Sequence, residues 1–103
     1  MKVKELRELI SKLKNEGCLT NQNVEFVFNS KKYFASDVKA GTNTMTFNIT
    51  RENYHPLTIE SFENSLKLAN GEINVTVANG TNQNTISDSF LTDSTLELVL
   101  DQS

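Results

Sequence analysis

Chemistry that needs a nucleophile and a base has little to draw on in this chain, which holds one cysteine, Cys18, and one histidine, His55. A thiolate nucleophile needs a neighbouring base or cation to depress its pKa, so His55 would have to reach Cys18. Cys18 follows Gly17, a position where a small apolar residue packs back on the last turn of a helix. His55 precedes Pro56 in a loop, as a solvated or capping histidine would. A cysteine-dependent enzyme is therefore the last of three readings, and no catalytic residue is assigned. One His, one Cys and scattered carboxylates do not supply the clustered ligands of a zinc or calcium site, so neither a metal nor another cofactor is expected. Gly17, Gly41, Gly71 and Gly80 are isolated, each explained by a turn or a cap, and none opens a phosphate-binding loop.

The other chemistry on offer is charge. The net charge of −3 hides an asymmetry: Met1 to Arg51 carries nine Lys/Arg against five Asp/Glu, whereas Glu52 to Ser103 carries Lys67 against eight acids. One consequence is attraction between the halves in the fold; the other is an acidic docking face. Glu52, Glu60, Glu63, Glu72, Asp88 and Asp93 are the candidate partner-binding acids, with Tyr33 and Tyr54 as aromatic contacts. Such a face would steer toward a protein with a basic, nucleic-acid-binding groove. Direct nucleic-acid binding is disfavoured, because Lys2, Lys4, Arg7, Lys12 and Lys14 are interleaved with Glu5, Glu8 and Glu16.

Two helices and two sets of strands must position these groups. Val3, Leu6, Leu9, Ile10 and Leu13 recur at helical spacing, and Gly17 follows where a helix can close. Val24, Phe26 and Phe28 then alternate as in a strand with one buried face; Asn29 to Lys32 turns the chain, Tyr33 to Val38 resumes it, and Met45, Phe47 and Ile49 alternate again. After Arg51 to Pro56 the order returns. Thr58 is an N-cap, Ile59, Phe62, Leu66 and Ala69 form the stripe, and Gly71 is placed to end the helix. Ile73, Val75 and Val77 follow, then the tight-turn pair Asn79-Gly80 with Thr81 to Asn84 suggesting a longer loop, a weaker strand over Thr85 to Phe90, and a clear last strand at Leu96, Leu98 and Leu100.

An offset of 53 lays Leu6, Leu9 and Leu13 over Ile59, Phe62 and Leu66, and Phe34 and Val38 fall opposite Ile86 and Phe90. The expected fold is therefore α+β: two tandem α-β-β-β units, about 1–50 and 57–103, sharing one core within a single domain 1–103. Hairpin-length connections predict an antiparallel sheet with the helices on one face and a Thr/Asn-rich face opposite.

No stretch reaches the roughly 18 apolar residues of a membrane span, the N-terminus is too charged for a signal peptide, and one cysteine forms no internal disulfide. The expected location is the cytoplasm. The opening Met1-Lys-Val-Lys-Glu-Leu-Arg-Glu-Leu-Ile-Ser-Lys-Leu13, with the strand Val24 to Phe28 and the extended Tyr33 to Val38, resembles small proteins of bacteriophages and prophages that begin with a VKELIEKLSKL-like helix leading into short strands. It covers about half the chain and departs at Asn15 to Asn23, where those proteins have a Pro-Asp turn. The resemblance implies a mobile-element origin, where small acidic proteins act by occupying host enzymes or defence complexes such as CRISPR nucleases. The expected function is a non-enzymatic protein-binding inhibitor acting in the host cytosol. The alternative is a self-assembling accessory protein, a homo-oligomer in which the basic half of one copy meets the acidic half of the next.

Overall fold

The computed structural model describes residues 1–17, 20–53 and 55–101. Helix α1 (Val3–Asn15) buries Val3, Leu6, Ile10 and Leu13, one stripe at spacings of three and four, and the Glu5 carboxylate accepts the Lys2 amide proton at 2.8 Å. Helix α2 (Ile59–Lys67) is capped as the sequence predicts, with the Thr58 hydroxyl accepting from the Ser61 amide at 3.1 Å, and it buries Ile59, Phe62 and Leu66. Such a cap satisfies one of the first-turn donors that an α-helix leaves free.

Gly71 does not end α2, which stops three residues before Gly71 is reached. Its carbonyl instead accepts from the Lys4 amide at 3.0 Å, and a Cβ at this position would lie 3.2 Å from the Lys4 Cβ. Glycine lets the chain pass close beside the first turn of α1.

The strands are β1 (Asn23–Phe28), β2 (Lys31–Ala40), β3 (Thr44–Thr50), β4 (Asn74–Asn79), β5 (Asn82–Asn84), β6 (Ile86–Leu91) and β7 (Thr95–Leu100), in the sheet order β5-β4-β3-β2-β1-β7-β6. The sheet is mixed, which corrects the antiparallel expectation. β1 pairs with β7 in parallel, and so does β3 with β4. Hairpins within each half are antiparallel, but segment 51–73 between β3 and β4 contains α2 and is long enough for a crossover. A second correction concerns Asn82 to Asn84. This segment forms a short strand, because Gly80 at φ 64° and Thr81 make a two-residue hairpin that sets Asn79 opposite Asn82.

β5 and β6 stand at opposite edges of the sheet, yet only Thr85 separates them. At about 4.8 Å per strand, a flat seven-stranded sheet would hold its edges nearly 30 Å apart. The sheet is therefore curled until its two edges meet.

Contacts recur in pairs across this curled sheet. Asn23 lies opposite Thr95 and Asn74 opposite Thr44, both in parallel register. Bridges join Asn23 to Thr58 and Asn74 to Lys2. The Val24 amide donates to the Leu57 carbonyl at 2.7 Å, and the Val75 amide to the Met1 carbonyl at 2.9 Å. β2 and β6 each break register at a serine, between Ala35 and Asp37 and between Ile86 and Asp88. The Ser36 hydroxyl donates to Asn48 O at 3.1 Å and the Ser87 hydroxyl to Val99 O at 3.2 Å.

Both helix stripes and the inward residues of the sheet join one hydrophobic cluster. At its centre Phe47 lies between Phe26 and Phe62, with ring centroids at 6.2 and 5.2 Å. Among the described residues, no helix is long and apolar enough to cross a membrane.

Candidate functional site

The opposite charges of the two halves meet as ion pairs. Lys2 and Lys4 reach Glu72 at 3.3 and 2.9 Å, Lys14 reaches Glu63 at 3.1 Å, and Lys32 reaches Glu97 at 3.9 Å; within the first half Lys32 also approaches Glu25 at 3.5 Å. Hydrogen bonds from Lys4 and then Lys2 hold the Glu72 carboxyl below its ordinary pKa, and the same bond to Glu72 raises that of Lys4. Glu63 also approaches Lys67 one turn along α2. Two of the six candidate acids, Glu63 and Glu72, are thus engaged within the chain.

Glu52, Glu60, Asp88 and Asp93 are exposed and form no ion pair among the described residues. The fold brings two of them together. The Thr20–Gln22 segment binds the start of α2, where the Ile59 amide donates to Gln22 O and the Glu60 amide to Thr20 O. The Gln22 side-chain amide donates to the Asp93 carbonyl at 2.7 Å, and the Asn23 amide to Ser94 O. Glu60 and Asp93 therefore flank one short segment at one end of the molecule. Asp88 stands further back on β6, and Glu52 lies in the connection leading to α2.

β6 runs into this end carrying Phe90 and Leu91, 54% and 42% exposed. Phe90 pairs with Glu97, placing it on the outer face with Asp88, whereas Leu91 pairs with Leu96 and points to the inner face. The weaker strand that the sequence predicts over Thr85 to Phe90 is present as β6, and strict alternation from the buried Ile86 would turn Phe90 inward. The bulge between Ile86 and Asp88 flips the alternation and sends Phe90 outward.

Tyr33 is half-buried, edge-on to Phe28 at 6.5 Å and covered by the Arg51 guanidinium 5.2 Å from its ring. Tyr54 and Cys18 lie outside the described residues.

A cleft of about 220 Å³ opens between α2, the inner side of β2 and the connection before α2. Its walls include Ala35, Val38, Phe47 and Leu57, with His55, Ser61 and Ser65 at the polar positions. Asp37 also borders it, but its carboxylate accepts from the Asn48 amide, and the pairing of Asp37 with Asn48 puts both side chains on the outer face. Asp37, His55 and Ser61 consequently do not form a relay. The sequence reading passed over Ser61 and Ser65; their spacing of four beside the stripe Ile59, Phe62, Leu66 was the available signal. Among the described residues no group of three or more His, Cys, Asp or Glu side chains could hold a metal ion. No family model matches the chain, and no curated protein or solved structure matches it.

Proposed function

We propose that this chain is a non-enzymatic protein-binding module, a phage- or prophage-type inhibitor that acts in the bacterial cytosol on a nucleic-acid enzyme of host defence. The observation that carries the proposal is the division among the acids. Glu63 and Glu72 bind the halves together, while Glu60 and Asp93 stay exposed at the end that also presents Leu91 and Phe90. Unpaired carboxylates beside large apolar side chains combine steering with an apolar anchor, which is how stable interfaces divide the work.

The test is capture from bacterial lysate containing active defence systems, with the tagged chain as bait. One stoichiometric partner is expected. The double substitution Glu60→Lys/Asp93→Lys should abolish its retention, while Glu52→Gln changes it little. Unchanged capture by the double variant removes the acidic end from the interface.

The duplicated α-β-β-β architecture is part of the same proposal. It is supported by strand contacts that recur at an offset of 51 and helix contacts that recur at 56, as in Asn23/Asn74 and Thr58/Lys2. These offsets replace 53: Val3, Leu6 and Ile10 stand over Ile59, Phe62 and Leu66, and Leu9 falls opposite Ser65.

Self-assembly is the second reading, favoured by the terminal position of β6, which leaves one ladder edge unpaired beside Phe90. Sedimentation would then show mass growing with concentration, and Phe90→Ser would return a monomer.

A further inference from the structure

The cleft marks a departure from the paired arrangement of the two halves. At offsets of 56 for helices and 51 for strands, Ser65 on α2 corresponds to Leu9 on α1, and Ala35 on β2 to Ile86 on β6. Leu9 packs against the core and Ile86 is buried in it. Each large apolar side chain that fills its place in one half is replaced by a small one in the other, and the cleft lies where Ser65 and Ala35 stand. Phe47 remains as its floor, in the position Leu98 takes in the other half.

We propose that this cleft is a binding site for one phenol-sized ring carrying a hydroxyl. Its volume of about 220 Å³ falls below the roughly 300–1,000 Å³ of sites for drug-sized ligands, and suits a single ring. The walls supply apolar contact from Phe47, Val38 and Leu57. Ser65 Oγ donates its proton to Ser61 O at 3.1 Å, so its lone pairs are left to accept from a ligand hydroxyl. Ser61 Oγ accepts from the Thr58 hydroxyl at 3.1 Å, which leaves its own proton for a ligand oxygen. A bare hydrocarbon would leave the two hydroxyls without a ligand partner, and a cationic ligand finds no carboxylate among the described lining residues, because that of Asp37 is turned to Asn48. This inference uses the equivalence of the two halves but not the acidic docking end.

The test is titration of the isotope-labelled full chain with p-cresol, followed by NMR. Saturable shifts are expected at Ala35, Val38, Phe47 and Leu57, with none at Leu98. Ser65→Leu installs the side chain that α1 carries at the equivalent place and should weaken p-cresol binding at least tenfold while the melting temperature holds or rises. If that variant unfolds, Ala35→Ile closes the cleft from the other wall and reads the same loss. A parallel titration with N-acetyl-tyrosinamide separates the sources of the ring: binding of both probes assigns the site to a partner's tyrosine, and binding of p-cresol alone to a free small molecule. Absence of saturable shifts, or p-cresol binding unchanged in both filled variants, overturns the proposal. Neither result depends on Glu60 or Asp93, so the docking reading stands or falls separately.

Discussion

The Arg7 guanidinium donates to the Leu66 carbonyl through Nε at 3.1 Å and Nη2 at 2.6 Å, and Nη2 also reaches the Ala69 carbonyl. A helix leaves its last carbonyls unpaired and carries partial negative charge at that end. α2 has no left-handed glycine cap there: Leu68 closes it in right-handed conformation, and α1 supplies the missing donors. Arg7→Ala should cost about 1.5–3 kcal/mol, the scale of hydrogen bonds to charged groups, with the Ala69 amide still donating to the partly buried Leu66 carbonyl. Urea unfolding measures it. Arg7→Lys should recover only part, since one ammonium cannot reproduce the planar fork. A loss below ~0.5 kcal/mol for Arg7→Ala would mean that water caps α2 as well as arginine does.

Glu72 predicts the pH dependence. Its pKa is depressed by the bonds from Lys4 and Lys2, so its contribution is present above the ordinary value of 4.5 and is lost as pH falls through the lower folded value. Lys4 is raised from 10.5, so its contribution is present below that value and fades as pH rises through the folded one. Between these limits the pair is constant. Glu72→Gln should therefore lower the melting temperature at pH 7, with the difference from wild type disappearing as pH falls through the lowered carboxyl pKa and shrinking in 1 M salt, because the pair is exposed. A difference that persists once the carboxyl is protonated would assign the effect to packing.

The β1–β2 turn holds a correctable strain. Asn29 and Ser30 have φ of 53° and 62°, the paired positive values of a type I′ hairpin, and Phe28 lies opposite Lys31. Asparagine tolerates this conformation, but serine at the second position does so at a cost of about 1–2 kcal/mol. Ser30→Gly removes that cost and adds chain entropy to the unfolded state, for a net gain of about 0.5–1 kcal/mol in denaturant unfolding.

How far the sequence reveals this fold depends on how local each cause is. Alternation at Val24/Phe26 and Met45/Phe47, the Thr58 cap and the stripe of α2 are set within a few residues, and all were legible. Parallel pairing of Asn23 with Thr95 is not, because no local pattern says which distant strand fills an edge. The outward turn of Phe90 is not legible for a different reason: one extra residue at Ser87 inverts the faces, and nothing in Ile86-Ser-Asp-Ser-Phe90 announces a bulge. Among the acids, composition forecast attraction between the halves, but only the fold separates Glu63 and Glu72, which are paired, from Glu60 and Asp93. The cleft arises from an absence, small residues where the other half has large ones, and so needs the structural offset before it becomes visible.

The core should report its centre sharply. Phe47 is 1% exposed and touches rings from both β1 and α2, so Phe47→Ala removes contacts on two sides at once. A loss of about 3–5 kcal/mol is expected, a large part of the stability of a domain this size. Phe47→Leu should lose much less.

The twin serines give a last test, one that bears on the proposed duplication. Ser36 and Ser87 each stand at a register break and each donates to a carbonyl on the neighbouring strand, at 3.1 and 3.2 Å. Both are exposed, so each bond should contribute little more than ~0.5–1 kcal/mol. If the two bulges are copies of one device, Ser36→Ala and Ser87→Ala should cost similar amounts, and the double variant should cost their sum, because the residues share no partner. Unequal single losses would mean that the bulges diverged in role, with one shaping the cleft at Ala35 and the other turning Phe90 outward. A double loss clearly different from the sum would instead show that the curled sheet couples its two edges through the β5–β6 junction at Thr85.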